Sequence, residues 1–232
     1  TDNSGQVMYD LWDQNGKSPP EVMNNETWSG PPVELNTILD LTAFLEGPFT
    51  GTEMHTLLNS SNVIPLLQPF NTSPWNYTGD EVVPGIPSVE IVDWILIELR
   101  ETDGDASTAT AVTMVGRQAA FLRSDGSIVA TDGFSLPEIE VSISYDLYVV
   151  IWHRNHLGVM SAVPVTRTGD TYNYDFSSGT GQVYGGILGH EELSSGVWGM
   201  IAADGNADGL VNVDDKSGSW MVEAGLSGYY YG

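Results

Sequence analysis

Two runs of this chain are apolar at nearly every position, with no alternation between faces. Val89-Glu90-Ile91-Val92-Asp93-Trp94-Ile95-Leu96-Ile97-Glu98-Leu99-Arg100 and Tyr148-Val149-Val150-Ile151-Trp152-His153 place β-branched and aromatic residues side by side, as in strands covered on both faces of a sheet. Both are expected to be central strands. Val141-Ser142-Ile143-Ser144-Tyr145 instead alternates, which predicts a strand with one wet face. From about residue 37 to 200, further short runs are separated by turn signals such as Ser124-Asp125-Gly126-Ser127 before Ile128-Val129. No stretch sustains a helical period, so the fold class is all-β, a two-sheet β-sandwich of Ig-like or jelly-roll-like type.

Residues 1–36 read differently. Gly5, Asn15-Gly16, Pro19-Pro20, Ser29-Gly30 and Pro31-Pro32 leave room only for short extended pieces. The apolar and aromatic residues of Gln6-Val7-Met8-Tyr9-Asp10-Leu11-Trp12 mark a segment that docks on something, a candidate donor strand. Within the β region, residues 71–80 are expected to form a long ordered loop, because Trp75 and Tyr77 give it apolar area to pack with. The chain divides into this N-terminal segment (1–36), a β-sandwich domain (37–200) and a C-terminal segment (201–232). It shows no internal repeat.

Charge narrows the partners. Seven Lys plus Arg against 31 Asp plus Glu give a formal net charge of -24, which repels nucleic acid and anionic membrane surfaces and favours cations. The absence of cysteine excludes disulfides, thiolate metal sites and a cysteine nucleophile. No apolar run approaches the roughly 18 residues of a membrane helix. The first residue is Thr1, so the sequence reads as mature, with any export signal removed.

The C-terminal segment contains a cation-binding pattern. In Asp-Gly-Asn-Ala-Asp-Gly-Leu-Val-Asn-Val-Asp-Asp, residues 204–215, Asp204 stands at position 1, Asn206 at 3, Asp208 at 5, the Leu210 carbonyl at 7, Asn212 at 9 and Asp215 at 12. That is the ligand order of an EF-hand, with Gly209 at the sharp turn of position 6. Ca2+ takes six to eight oxygens at about 2.3–2.6 Å, and alternate side chains converge on one point only if the loop turns there. Asp at position 12, where an EF-hand has Glu, resembles the dockerin-type calcium repeat. The shorter side chain requires the backbone to move closer. Lys216-Ser217-Gly218-Ser219-Trp220-Met221 would then begin a short helix, which Gly218 weakens. A single loop fits a structural staple better than a cohesin-binding module, since dockerin repeats come in pairs.

Phe44-Leu45-Glu46-Gly47-Pro48-Phe49, Ile64-Pro65-Leu66-Leu67-Gln68-Pro69-Phe70, Pro74-Trp75-Asn76-Tyr77, residues 92–100, His153-Arg154-Asn155-His156-Leu157 and Met160-Ser161-Ala162 follow one another in order. Over about residues 40–215 this order resembles a class of exported Bacteroidota surface proteins that end in a dockerin-like calcium segment and a type IX secretion signal. The resemblance implies an extracellular or cell-surface β-sandwich module and carries no catalytic residues over. Residues 1–36 lie outside the pattern, and the sequence shows neither a second calcium repeat nor the secretion signal.

Other residues invite chemistry. His153 and His156, read as continuing one strand, would point to opposite faces and could not share a zinc ion without a bulge; a structural role beside nearby acids is favoured. Glu46, Asp93 and Glu98 are carboxylates in apolar strands, where a facing pair could serve a glycosidase, although Glu98 and Arg100 also read as ordinary strand partners. Trp75, Tyr77, Trp94 and Trp152 are candidates for a sugar-stacking platform, against core packing as the commoner fate. Asn25, Asn59, Asn71 and Asn76 open Asn-Xaa-Ser/Thr triplets, candidate glycan acceptors.

No nucleophile elbow, phosphate loop or dinucleotide fingerprint is present in the sequence. The expectation is a non-enzymatic, calcium-stabilised structural protein of the cell surface, a pilus-like filament subunit. Self-association by strand addition is suggested by the apolar segments 6–12 and 229–231. A carbohydrate-binding or adhesin module is the alternative, and a secreted hydrolase the third reading.

Overall fold

The computed structural model describes residues 36–226 and 228, which belong to a compact unit beginning at Leu35. The segments 6–12 and 229–231 and Asn25 lie outside the described residues. Among the described residues strand accounts for 38% and helix for 14%, with mostly antiparallel pairing, so the fold is β-rich as expected.

A five-stranded antiparallel sheet has the order β4-β3-β2-β6-β7. Its members are β2 (Ile91–Thr102), β3 (Met114–Arg123), β4 (Ile128–Val129), β6 (Asp146–His153) and β7 (His156–Met160). The two runs with no alternation occupy its interior: β2 pairs with β3 on one side and β6 on the other. Their composition follows from two-sided burial. Ile95, Ile97 and Leu99 of β2, Ala120 and Leu122 of β3, and Leu147, Val149 and Ile151 of β6 enter one apolar cluster. The alternate residues Trp94, Leu96, Ala119 and Phe121 enter a second cluster on the opposite face.

The second sheet, of order β5-β1-β9-β8, joins β1 (Asn36–Thr42), β5 (Glu138–Glu140), β8 (Thr166–Thr168) and β9 (Thr171–Asp175). β1 and β9 run parallel while the other two pairs are antiparallel. Leu39, Leu41, Ile139 and Tyr174 of this sheet share the first cluster with the inner face of the five-stranded sheet, so both sheets bury one core. The other face of the larger sheet is covered without a third sheet. Ile64, Phe70 and Val83, with Trp75 and Tyr77 of the loop at 71–80, pack on Trp94 and Phe121 there. That loop is ordered by the apolar area of its two aromatics, the reason anticipated from the sequence.

The alternating run 141–145 is not a strand. β5 ends at Glu140, and beyond it the pattern survives only as burial, with Val141 and Ile143 packed on the core. The Val141 carbonyl accepts from Thr37 Oγ1 at 2.8 Å, and the Glu101 carboxylate accepts the amides of Ser144 and Tyr145. Side chains therefore satisfy backbone groups that a ladder would otherwise pair.

A hairpin of β10 (His190–Ser194) and β11 (Val197–Met200) leads to the C-terminal segment. The Met200 amide donates to the Phe44 carbonyl at 2.8 Å, and the Glu46 amide to the Met200 carbonyl at 3.0 Å. This close approach needs Gly199: a Cβ there would stand 2.4 Å from Leu193 Cδ1 and 2.8 Å from the Phe44 carbonyl oxygen. Leu193 can turn aside, but the Phe44 backbone cannot. Gly199→Ala is expected to destabilise the fold by about 1–3 kcal/mol, as overpacking does, read as a lower urea midpoint with an unchanged slope.

Candidate functional site

The loop at 204–215 is shaped by its own carboxylates. Asp204 Oδ1 accepts the Asp208 amide at 3.1 Å, and its Oδ2 accepts the Gly209 amide at 3.2 Å. Asn206 Oδ1 accepts the Asp208 amide at 3.0 Å, and Asp208 Oδ1 the Leu210 amide at 2.9 Å. The backbone turns at Ala207 (φ 55°) and again at Gly209 (φ 83°), the position where the pattern requires glycine.

The far end of the loop returns to its start. Asn212 caps the helix that begins with α1 (Val213–Asp215), its Oδ1 accepting the Asp214 amide at 2.6 Å, and Asp215 Oδ2 accepts the Asn212 amide at 2.7 Å. This is a reciprocal capping box. Asp215 Oδ1 also accepts the Asn206 amide at 3.3 Å, so the backbone has approached the short side chain at position 12. Past Asp215 the chain stays helical through a π-type turn at Lys216–Trp220 and α2 (Met221–Glu223).

Asp204 and Asp215 are both buried, at 3% and 4% exposure. No Lys or Arg among the described residues forms an ion pair with Asp204, Asp208 or Asp215. Burial raises the Asp204 carboxyl above its usual range, and the charges of Asp215 and Asp208 push the same way against bonds from Gly209 and Asp208. Buried, mutually repelling carboxylates are stabilised by a cation. Among the described residues no three His, Cys, Asp or Glu side chains are grouped so as to hold a metal ion. That holds for Asp204, Asp208 and Asp215 too, so as they stand their carboxylates do not converge on one point; with Asn206, Asn212 and the Leu210 carbonyl they would make an all-oxygen set of the kind a hard cation takes.

Beside this segment lies a polar network in the protein interior. β6 ends at His153 and β7 begins at His156, so the two histidines pair across a tight hairpin. This corrects the expectation of opposite faces: the ring centroids are 4.7 Å apart, because the chain reverses at 154 and 155. The Gly47 amide donates to His156 Nε2 at 3.2 Å, so the proton of His156 sits on Nδ1, 3.0 Å from His153 Nδ1 and 2.8 Å from Asn155 Oδ1. His153 then presents Nε2–H to Asp93 Oδ2 at 3.1 Å, and Arg154 Nε donates to the same oxygen at 3.4 Å. Both imidazoles are neutral in this arrangement.

Burial lowers the pKa of His153, outweighing its bond to Asp93, and holds that of His156 well below the usual value, aided by His153 and Arg154. Burial lowers His190 as well. An unfolded histidine titrates near 6.5, so as pH falls through that value the unfolded chain takes up protons before the native state does. Stability is therefore full above about pH 6.5 and is lost as pH falls toward the depressed native values. Urea midpoints at pH 7 and pH 5 should show this loss, and His156→Gln should reduce the difference between them.

The other carboxylates are each engaged elsewhere. Glu98 lies between Arg100 (2.7 Å) and Arg117 (3.3 Å), and Glu46 Oε2 accepts the Ala202 amide at 2.7 Å. With Asp93 held by His153 and Arg154, the three acids have separate partners. Of the four aromatic candidates, Trp94 is fully buried, donating Nε1–H to the Pro65 carbonyl, and Trp152 packs inward. Tyr77 hydrogen-bonds Glu81, and its hydroxyl pKa is raised by burial and by that carboxylate. Trp75 lines a cavity beside the 204–215 segment. Asn59 Nδ2 donates to the Ser88 and Ile91 carbonyls at 2.8 and 3.1 Å, bonds that a glycan on that nitrogen would disturb; Asn71 and Asn76 are exposed.

The sequence reading did not pick out Trp220, an exposed tryptophan that lines the same cavity as Trp75. The available signal was a large aromatic in an otherwise polar, glycine-containing stretch. Compared with protein-family models, curated proteins and solved structures, this chain matches none.

Proposed function

We propose that the chain is a calcium-stapled, non-enzymatic module of an exported bacterial surface protein, serving as a structural subunit that self-associates into a pilus-like filament. The observation that carries this reading is the loop at 204–215, where Asp204 and Asp215 are both buried with no ion pair to a Lys or Arg among the described residues and Gly209 takes the left-handed turn. Ca2+ held by Asp204, Asn206, Asp208, the Leu210 carbonyl, Asn212 and Asp215 would neutralise that charge and tie the last helical turns to the β region. Two sheets around one core fit a sandwich of Ig-like or jelly-roll-like type, and the ordered motifs from Phe44 to Ala162 favour a cell-surface location.

Self-association rests on the apolar segments 6–12 and 229–231 as donors, with the short, exposed edge strand β8 as an acceptor. A head-to-tail exchange of this kind does not close and yields a fibre. Negative-stain electron microscopy of the purified chain in calcium is expected to show filaments, and deletion of residues 1–20 to leave soluble monomers. Monodisperse particles from the intact chain would contradict the filament reading.

A further inference from the structure

The loop at 71–80, the turn at 154 and 155, and the segment from 202 to 223 enclose a cavity of about 610 Å³. That volume is in the range of small-molecule sites. Trp75 is held in place: its ring meets Phe70 edge-on with centroids 5.2 Å apart, and its carbonyl accepts Arg117 Nη1 at 2.7 Å. Trp220, in the helical turn at Lys216–Trp220, is 65% exposed. Trp75 thus packs on the core with part of its indole and lines the cavity as well, and Trp220 brings a largely uncovered indole to the same cavity.

The charge of the lining is what selects the ligand class. In a chain of net charge -24, this cavity is nearly balanced: Arg154, already joined to Asp93, and Lys216 stand against Asp215 and Glu223. An anionic ligand finds no excess of cations here, and a cationic one little excess of acid. The lining also carries polar groups that a wholly apolar ligand would not use, Lys216, Glu223 and Asn155 Nδ2; Asn155 Oδ1 is taken by His156.

We propose that this cavity binds a short neutral oligosaccharide. Sugar C–H faces stack on the indoles of Trp75 and Trp220, and hydroxyls bond Asn155, Lys216 and Glu223. Asn206, Asn212 and Asp215 belong both to the cavity wall and to the calcium loop, and a Cβ at Gly205 would stand 3.0 Å from Ser219 Cβ, so loop and helical turns are closely packed. Sugar binding is therefore linked to calcium, a linkage that rests on the calcium reading above, whereas the sugar site itself does not.

The test is titration calorimetry of the full chain with neutral gluco-, xylo-, manno- and chito-oligosaccharides and with acidic uronic-acid oligosaccharides, in calcium and in EGTA, for the native sequence, Trp75→Ala and Trp220→Ala. Binding of at least one neutral sugar is expected, weakened about tenfold or more in each variant. Trp220 is exposed, so its variant remains informative even if Trp75→Ala fails to fold. No binding by the folded, calcium-loaded chain, binding of acidic glycans alone, or full affinity in Trp220→Ala would overturn the proposal. Equal binding in EGTA by a chain that does bind calcium would remove the linkage and leave the sugar site standing. Absence of any calcium binding would instead strike the calcium reading.

Discussion

Glu98→Ala should destabilise the fold by about 3–5 kcal/mol, the usual effect of removing one member of a buried ion cluster. Exposed ion pairs are worth about 0–1 kcal/mol, and burial decides between these ranges. The Glu98 side chain is 7% exposed, and its partners Arg100 and Arg117 are 14% and 24% exposed. Without the carboxylate two guanidinium groups face each other across β2 and β3 with no anion between them. The loss would spread, because Arg100 Nη1 also holds the Ala109 carbonyl and Arg117 Nη1 holds Trp75. Urea unfolding at pH 7 measures the effect directly; a change below about 1 kcal/mol would show that solvent screens this cluster.

Removal of the proposed calcium ion is the second large effect expected. For a site of about 1 μM affinity, 1 mM free ion stabilises the native state by about 4 kcal/mol through mass action. In a domain of this size that corresponds to about 8–16 °C in melting temperature. EGTA should therefore lower the melting temperature by that amount, and Asp215→Ala should lower it in calcium and make it insensitive to EGTA. Asp215 is the sensitive position because it serves the loop twice, closing onto Asn206 and capping the helix through Asn212. An equal shift from Asp214→Ala would argue against this assignment, since the exposed Asp214 side chain lies outside the proposed donor set.

The sequence revealed the parts of the fold in which a residue's own pattern matches its surroundings. β2 and β6 were legible because both faces of each are buried, leaving no polar alternation. The run at 141–145 misled for the converse reason: its alternation is real in burial, but Thr37 and Glu101 take over the backbone bonding. The parallel pairing of β1 with β9 joins residues more than a hundred positions apart, and nothing local in either segment encodes it.

The turn at Gly209 and the helix start at 213 were legible because the residue types and spacing that set them lie within twelve consecutive positions. The histidine pair was only half legible. Whether His153 and His156 meet depends on the chain reversing at 154 and 155, and Arg154-Asn155 is not a strong hairpin signal of the Asn-Gly kind. Asp93, sixty residues away in sequence, completes the network only through the pairing of β2 with β6. The cavity was invisible for the same reason, since Trp75, Asn155 and Trp220 come together only in the folded chain.

The central claim is a calcium ion at 204–215, and equilibrium calcium titration of the purified chain by calorimetry tests it most directly. The account predicts one bound ion per chain and its loss in Asp204→Ala and Asp215→Ala. No calcium binding by the folded native sequence, or binding that survives both substitutions, would contradict it.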